Sequence, residues 1–368
     1  WSSDVCSSDL LLGELGAAVR RANLKMGLYY SLYEWFNPLW RMDRQRYVTE
    51  HMWPQFKDVV TNYKPALIFS DGEWDMTDKQ WKSPELLAWL FNESPVRNEV
   101  VINDRWGKDI RHKHGGYYTT EYGAGLDQGT HPWEENRGIG NSFGYNRNEP
   151  LSNYKGVREL VLMLVDLVSR GGNLLLDVGP TADGRIPLIM QDRLLGIGRW
   201  LSVNGEAIYG TKAWKRNCQW SQGDVPDRSY GQHKTQYSIL DLVEPSEKGR
   251  ASIEVFFTSK PELIYAIAPR WPGRELILRD VDPKDNAVVT MLGLKRNLAW
   301  QRKGEDIIVD LSGISPEMLP CRDAYVFKVP IRKPVKKPKP AEQPREEEEE
   351  PEDELERAIF DALQGIFK

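Results

Sequence analysis

Residues 66–75 read ALIFSDGEWD, an apolar run that ends on an acid. Residues 66–69 carry only apolar side chains, as a strand does when both faces of its sheet are covered. The strand is expected to end near Ser70 and Asp71, because Gly72 follows and favours a turn. Asp71 therefore fits two interpretations: a Ser-Asp-Gly turn that caps the next helix, or a functional carboxylate placed where a buried strand ends.

The same alternation continues on both sides of this strand. Short apolar runs alternate with longer segments in which apolar residues recur at helical spacing, which predicts an α/β fold with a parallel sheet. A doubly wound sheet and a (β/α)8 TIM barrel both give this order, but no GxGxxG turn follows a first strand. Polar residues near strand ends favour the barrel, whose active site lies at the C-terminal ends of its strands. These polar residues are Tyr29, Asp71, Asp104, Glu121 and Asp177.

Domain boundaries follow from changes in composition along the chain. Residues 1–10, WSSDVCSSDL, repeat Ser-Ser-Asp without periodicity and indicate an artefactual leader. Residues 11–217 are interpreted as an N-terminally truncated barrel, because fewer than eight strands are recognisable there. Short β-branched and aromatic runs in residues 218–331 predict an antiparallel β-sandwich. The Lys/Pro-rich and then Glu-rich residues 332–353 predict a disordered linker, and residues 354–368 an amphipathic helix.

Composition excludes several classes of function. The chain of 368 residues has a net charge of −5 with acids and bases interspersed, which argues against nucleic-acid binding. It has no apolar run long enough for a membrane span. The 3 Cys and 5 His form no recognisable metal-binding or disulfide motif. The 14 Trp and 15 Tyr suit either a large core or the flat apolar faces of sugars.

Carboxylates near strand ends are the candidates for chemistry. Glycoside hydrolysis uses two of them, one as nucleophile or base and one as proton donor. Asp71 and Glu121 are the leading pair, although Glu121 also fits a solvent-facing strand residue. Glu134 competes as the proton donor, because Trp133 beside it could shield its carboxyl group. Weaker carboxylate candidates are Asp75, Asp104 and Asp177.

Arg105 follows another strand end, next to Trp106 in the segment NDRWG. A guanidinium group presents five donors in a planar fork, which suits sugar hydroxyls or a catalytic carboxylate. A structural salt bridge is the alternative interpretation of Arg105.

Several longer segments are distinctive in combination. In chain order they read LIFSDGEW, VINDRWG, TTEYG, WEENRGIGNSFGYNRNE, LVDLVSRGGNLLLDVGPTADGRIP and LLGIGRWLSVNGEAIYGTKAW. Together they resemble the retaining α-L-fucosidases of glycoside hydrolase family 29. The likeness covers roughly residues 20–215, and LIYAIAPRWP and VVTMLGLKRNLAW fit that family's C-terminal domain.

The resemblance implies a role for each matched residue. Asp71 matches the nucleophile, and Glu121 the acid/base of one branch of the family; Glu134 stays an alternative because the acid/base position varies between branches. A double displacement at a terminal α-L-fucose of a glycan is implied, without a cofactor. Phe69 stands where several relatives carry a pocket Trp. The substrate-binding residues are then expected to be Tyr29, Phe69, Trp74, Arg105, Trp106 and Trp133.

Two other functions stay open beside the fucosidase interpretation. One is a retaining exo-glycosidase that takes galactosides, and the other is a non-catalytic fucose-binding protein. The resemblance also implies a secreted, periplasmic or lysosome-like location, and it is compatible with a homo-oligomer. Fucosylated glycans are the expected partners, with no nucleic acid and no membrane span.

One departure from the family pattern concerns histidine. The family's pocket also uses an N-terminal His and a His-His pair at a strand end, and none of the 5 His here lies in such a motif. These residues belong to the first barrel strands, which this chain is expected to lack, leaving barrel edges exposed. We therefore predict that the 368-residue chain alone is inactive or misfolded, whereas its full-length parent is active. Turnover of 4-nitrophenyl α-L-fucoside is the measurement, and robust turnover by the chain would contradict the prediction.

Overall fold

The computed structural model describes residues 5–127, 129, 131–228, 237–245 and 249–332. The predicted linker beyond Arg332 and the predicted terminal helix lie outside these residues. Within the described part of the chain, no helix is both long enough and apolar enough to cross a bilayer.

Helices and strands alternate up to residue 204, and strands predominate after it. The helices are α1 (Val5–Arg21), α2 (Pro38–Met42), α3 (Arg44–Arg46), α4 (Trp53–Tyr63), α5 (Asp78–Trp81), α6 (Ser83–Asn92), α7 (Val157–Ser169), α8 (Leu188–Asn204) and α9 (Ile239–Val243). The first strands are β1 (Gly27–Ser31), β2 (Leu67–Asp71), β3 (Val101–Ile102), β4 (Tyr118–Glu121), β5 (Trp133–Gly138) and β6 (Gly172–Asp177). The later strands are β7 (Lys212–Trp220), β8 (Ile253–Lys260), β9 (Leu263–Ala268), β10 (Glu275–Leu278), β11 (Val289–Met291), β12 (Asn297–Leu298), β13 (Trp300–Lys303), β14 (Asp306–Asp310) and β15 (Tyr325–Pro330).

Strands β1 to β6 are parallel and lie side by side in chain order. Sheets β1-β2-β3 and β4-β5-β6 are joined by a parallel bridge between Asn103 and Tyr117. Gly116 makes this approach possible, because a Cβ atom there would lie 1.6 Å from the carbonyl oxygen of Ile102. A doubly wound sheet reverses its strand order at one point, whereas a TIM barrel keeps it. The predicted α/β architecture, with the strand order of a barrel wall, is confirmed.

Helices α2 to α6 cover the outer side of β1 to β3. Trp40, Phe56 and Trp81 are buried there and pack in one core cluster with Ile68 of β2 and Ile102 of β3. Full burial of a side chain such as Phe56 contributes about 1.5–3 kcal/mol. These helices therefore hold the first half of the wall and leave the C-terminal ends of its strands free for a site.

The later strands form the predicted β-sandwich. A 6-stranded antiparallel sheet has the order β12-β11-β15-β9-β8-β7, and a 3-stranded sheet has the order β10-β14-β13. Phe257 of β8 and Ile307 of β14 belong to the core between the two sheets. The neighbouring Phe256 points to the opposite face, where it joins α7 and α8 in a second core. The 6-stranded sheet is thus buried on both faces.

Two expectations from the sequence about the C-terminal part of the chain differ from the structure. The expected domain boundary between residues 217 and 218 falls inside β7, which begins at Lys212. Residues 218–331, predicted as an antiparallel β-sandwich, also contain the helix α9, whose first turn is capped by Ser238 Oγ accepting from Asp241 N at 3.3 Å.

Candidate active site

Asp71 is the last residue of β2, at the C-terminal end of the parallel strands. Gly72 follows in the left-handed region with φ 79°, and a Cβ atom there would lie 2.7 Å from Tyr33 Cβ. Glycine is therefore needed for the chain to turn away at this point. The cap of α5 is Thr77, not Asp71, so the interpretation of Asp71 as a helix-capping residue is wrong.

Arg105 connects the two leading carboxylates. Its Nη1 donates to Asp71 Oδ1 at 2.8 Å, and its Nη2 donates to Glu121 Oε2 at 3.0 Å. The third donor, Nε, bonds Thr119 Oγ1 at 2.9 Å, and only 3% of the Arg105 side chain is exposed. Burial by itself would lower the pKa of Arg105, but the charges of Glu121 and Asp71 outweigh it and raise the pKa. Arg105 therefore stays charged and holds the carboxylates at the C-terminal ends of β2 and β4, on either side of β3.

Two aromatic residues form a wall beside Asp71. The hydroxyl of Tyr29 donates to Asp71 Oδ2 at 2.8 Å. Its ring stacks on Phe69, with the ring centroids 6.0 Å apart. The Arg105 guanidinium lies 4.8 Å from the Phe69 centroid, so Phe69 supports the arginine as well as the wall. Tyr29 and Phe69 lie opposite each other in the β1–β2 register, and strand pairing brings them together.

Two cavities meet at Asp71, Arg105 and Glu121. The first, which we call the loop cavity, has about 600 Å³ and is lined by residues that follow the strand ends, among them Glu73, Trp74, Lys108, Asp109, Arg111 and Lys113. The second, which we call the strand cavity, has about 700 Å³ and is lined by strand residues, among them Tyr29, Phe69, Glu134, Asn136 and Asp177. The predicted sugar-binding residues Tyr29, Phe69, Trp74 and Arg105 all line one of the two.

Glu134 faces the strand cavity from β5. In the β4–β5 register, Glu134 pairs with Thr119 and Glu121 pairs with Asn136. Glu134 therefore lies two residues further from the C-terminal ends of the strands than Glu121 does. Its Oε1 is buried and has no hydrogen-bond partner among the described residues. Burial raises the pKa of Glu134 to about 7, although the nearby Tyr117 hydroxyl and Arg105 oppose this. Glu134 thus retains the property expected of a proton donor.

The raised pKa of Glu134 predicts a pH-dependent stability. The native state keeps this proton up to about pH 7, whereas an unfolded Glu loses it near pH 4.3. The wild-type free energy of unfolding should therefore fall as pH rises between these values, by up to about 3 kcal/mol. Glu134→Gln should remove this loss and be the more stable form at pH 8. Urea unfolding from pH 4 to 8 measures the free energy of unfolding at each pH, and Glu275→Gln, at an exposed position, is the control. If the free energy of unfolding of Glu134→Gln falls with pH as steeply as that of the wild type, the raised pKa of Glu134 is contradicted.

Arg111 is a site residue that the sequence analysis missed. Its Nε donates to Glu73 Oε1 at 2.7 Å. Its terminal nitrogens lie 3.7 Å from Asp71 Oδ1 and 3.6 Å from Glu121 Oε2. Arg111 follows no strand end, and the only signal for it was the basic run KDIRHKH.

Five other candidates from the sequence lie outside the Arg105 fork, and four of them have purely structural surroundings. Trp106 and Trp133 are only 2% and 1% exposed and pack in hydrophobic cores. The expectation that they contact the sugar is therefore wrong. Asp104 is buried and accepts from the His112 backbone N and the Thr119 hydroxyl. Asp75 forms an exposed ion pair with Arg44 at 3.6 Å. Asp177 lines the strand cavity, where burial raises its pKa.

Three of the carboxylates that line the loop cavity are paired with arginines. Asp71 and Glu121 bond Arg105, and Glu73 bonds Arg111. Within the described residues, no group of three or more His, Cys, Asp or Glu side chains is placed to hold a metal ion.

Comparison with known proteins gives two matching family profiles. The profile described as alpha-L-fucosidase matches residues 2–206. The profile of the alpha-L-fucosidase C-terminal domain matches residues 248–330. The two matches correspond to the parallel wall and to the sandwich.

Individual relatives agree with the profiles. The chain is 38% identical to tissue alpha-L-fucosidase of Homo sapiens over 340 residues, which cover 89% of this chain and 66% of that protein. It is 40% identical to plasma alpha-L-fucosidase of Rattus norvegicus, covering 85% of this chain and 64% of that protein. A structure of Thermotoga maritima alpha-fucosidase in complex with a mechanism-based inhibitor has a TM-score of 0.64 at 29% identity, covering 87% of this chain and 67% of that one. The chain thus spans about two thirds of the length of these relatives.

Proposed function

Because the chain belongs to the α-L-fucosidase family, we propose that its site hydrolyses terminal α-L-fucosides of oligosaccharides or glycoconjugates with retention of configuration. The supporting observation is the Arg105 fork, which bonds Asp71 and Glu121 at the C-terminal ends of two parallel strands. A retaining glycosidase uses two carboxyl groups about 5–5.5 Å apart. Two carboxylates that share one guanidinium group suit this separation.

Asp71 is proposed as the nucleophile that attacks the anomeric carbon. Its Oδ1 accepts from Arg105 and its Oδ2 accepts from Tyr29, so the carboxylate is held in one orientation. Each carboxylate oxygen has two lone-pair sites, which leaves Oδ2 able to attack while Tyr29 keeps donating to it. The attack breaks the glycosidic bond and forms a fucosyl ester on Asp71.

Glu121 is proposed as the acid/base. It protonates the leaving oxygen in the first step and deprotonates the attacking water in the second, which releases α-L-fucose and regenerates Asp71. Glu134 is the second candidate for the proton donor, because its pKa of about 7 keeps it largely protonated in mildly acidic solution. Tyr29 and Phe69 are proposed to contact the apolar side of the fucose ring and its methyl group.

The test uses the protein as its natural source produces it. Hydrolysis of 4-nitrophenyl α-L-fucoside is followed by proton NMR, and α-L-fucose is expected as the first-formed anomer. The matching α-L-galactoside, which carries a hydroxymethyl group in place of the methyl group, should react more slowly. First-formed β-L-fucose, or fucose binding without hydrolysis, would overturn the proposal. The 368-residue chain is assayed in parallel, which also decides the prediction that it is inactive alone.

A further inference from the structure

The loop between β3 and β4 carries cations that the proposed chemistry does not use. Lys108 and Lys113 are exposed and line the loop cavity, next to the two carboxylates. Among the described residues, no hydrogen bond or ion pair is formed by either side-chain amine. An exposed lysine is usually only solvated. These two lysines differ because the backbone of their loop is held at both ends.

The start of the loop is fixed against the segment that follows β2. The backbone N of Lys108 donates to Met76 O at 2.8 Å. At Gly107, a Cβ atom would lie 2.4 Å from the backbone N of Asp78, so the two segments are in direct contact. The backbone at Lys108 is therefore packed against residues 76–78.

The end of the loop is fixed by buried acids. Arg111 bonds the carboxylate of Glu73, which is 3% exposed. The backbone N of His112 donates to Oδ2 of the buried Asp104 at 2.9 Å. Lys113 follows directly, and its backbone N donates to Ile110 O at 3.0 Å.

The charges around the loop cavity pair off unevenly. Asp71, Glu73 and Glu121 each bond an arginine, either Arg105 or Arg111. Of the described residues that line the cavity, Lys108, Lys113 and the exposed Asp109 are the charged ones left unpaired. Because three carboxylates share two arginines, the four acids and four bases among the described lining residues balance, and Lys108 and Lys113 are the two cations among them that bond no carboxylate.

The loop cavity also has an aromatic lining residue. Trp74 lines the cavity and is 47% exposed. Trp35, 63% exposed, lies beside it with the ring centroids 6.5 Å apart. Flat aromatic surfaces suit the apolar faces of sugars, as they suit other apolar ring faces. Trp74, Lys108 and Lys113 line the same cavity, so a sugar ring bound on Trp74 would share that cavity with both amines.

We propose that the loop cavity binds the leaving-group sugar and selects one that carries an anion, either a sulfate ester or a carboxylate. This inference rests on the proposed fucosidase function, because it assigns the sugar on the far side of the bond that Asp71 breaks. Lys108 and Lys113 bind the anion, Trp74 carries the ring, and Asp109 opposes the selection.

The test compares three disaccharides of one linkage, in which α-L-fucose is joined to galactose, galactose 6-sulfate or galacturonate. The natural protein should show a higher kcat/KM for at least one anionic substrate than for the neutral one. In Lys108→Gln/Lys113→Gln this ratio should fall by about 3- to 10-fold, the scale of one or two exposed ion pairs. Asp109→Asn should raise it, and added salt should lower it.

A matched control removes two lysines elsewhere. Lys295→Gln/Lys303→Gln makes the same change in net charge at exposed positions of the sandwich and should leave the ratio unchanged. Preference for the sulfated substrate alone assigns a sulfate ester, preference for galacturonate alone assigns a carboxylate, and an equal preference assigns charge alone.

The outcomes separate this inference from the proposed function. A ratio at or below one for both anions, or an unchanged ratio in Lys108→Gln/Lys113→Gln, overturns the inference while fucose release stands. If no fucose is released from any disaccharide or from the nitrophenyl fucoside, the fucosidase proposal fails. Calorimetric dissociation constants for the same three disaccharides then decide the anion preference on their own.

Discussion

Replacing Asp71 by glycine should lower kcat/KM for 4-nitrophenyl α-L-fucoside by about 10⁴-fold or more, the scale seen when a catalytic nucleophile is removed. The expected loss follows from the position of Asp71, whose carboxylate is held by Arg105 and Tyr29 at the end of β2. Glycine also leaves a space the size of a small anion beside Arg105. Azide should enter that space and restore turnover, with β-L-fucosyl azide as the product, because it attacks from the face that Asp71 had occupied.

The control for this variant is Asp75→Gly. Asp75 lies four positions further along the same segment, but its carboxylate forms an exposed ion pair with Arg44 at 3.6 Å. Exposed pairs of this kind contribute little, so Asp75→Gly should retain activity and gain nothing from azide. Near-normal rates in Asp71→Gly, or rescue in both variants, would show that Asp71 is not the nucleophile.

The second large effect is expected for Glu121→Ala, and it depends on the leaving group. Proton donation contributes about 10²- to 10⁴-fold, so hydrolysis of a fucosyl disaccharide should fall by that factor. The 2,4-dinitrophenyl fucoside should be affected much less, because its leaving group departs without a proton. The measurement is kcat/KM of each variant on both substrates.

Glu134→Ala is the matched comparison for Glu121→Ala. Both residues face the strand cavity, but Glu121 bonds Arg105 beside Asp71, whereas Glu134 lies two residues further from the strand ends. Glu134→Ala should therefore lower kcat/KM by similar factors for the two substrates, and by less than Glu121→Ala lowers it for the disaccharide. The opposite pattern, in which Glu134→Ala alone is selective for the poor leaving group, would transfer the role of proton donor to Glu134.

The site could be predicted where a sequence signal and a strand end coincide. Asp71 and Glu121 follow extended segments, and the barrel rule then places both at one edge of the sheet. Arg111 carries no such signal, because its contact with Glu73 joins residues 38 positions apart through a loop. Its position depends on the path of that loop and not on any local pattern.

Strand β5 shows why the expectation that Trp133 shields Glu134 and contacts the sugar was wrong. Of its six residues, WEENRG, only Trp133 is a large apolar residue, so no apolar run indicated a strand. Glu135 is nevertheless fully buried, and its carboxylate accepts from the Thr120 hydroxyl and from the backbone N of Gly123. Successive side chains in a strand point to opposite faces. Because Glu134 faces the cavity, Trp133 must face the helices, and it could not have shielded that carboxyl group from the sugar side.

The burial of the 6-stranded sheet on both faces has a consequence for modularity. Trp200 of α8 donates to the carbonyl oxygen of Ala324 at 3.0 Å, and Phe256 belongs to the same core as α7. Removing the sandwich would expose the apolar side of these helices to water, at a cost of about 25 cal/mol per Å². The sandwich is therefore not an accessory that can be exchanged or deleted without loss: in folding terms, it and the second half of the barrel wall form one cooperative unit.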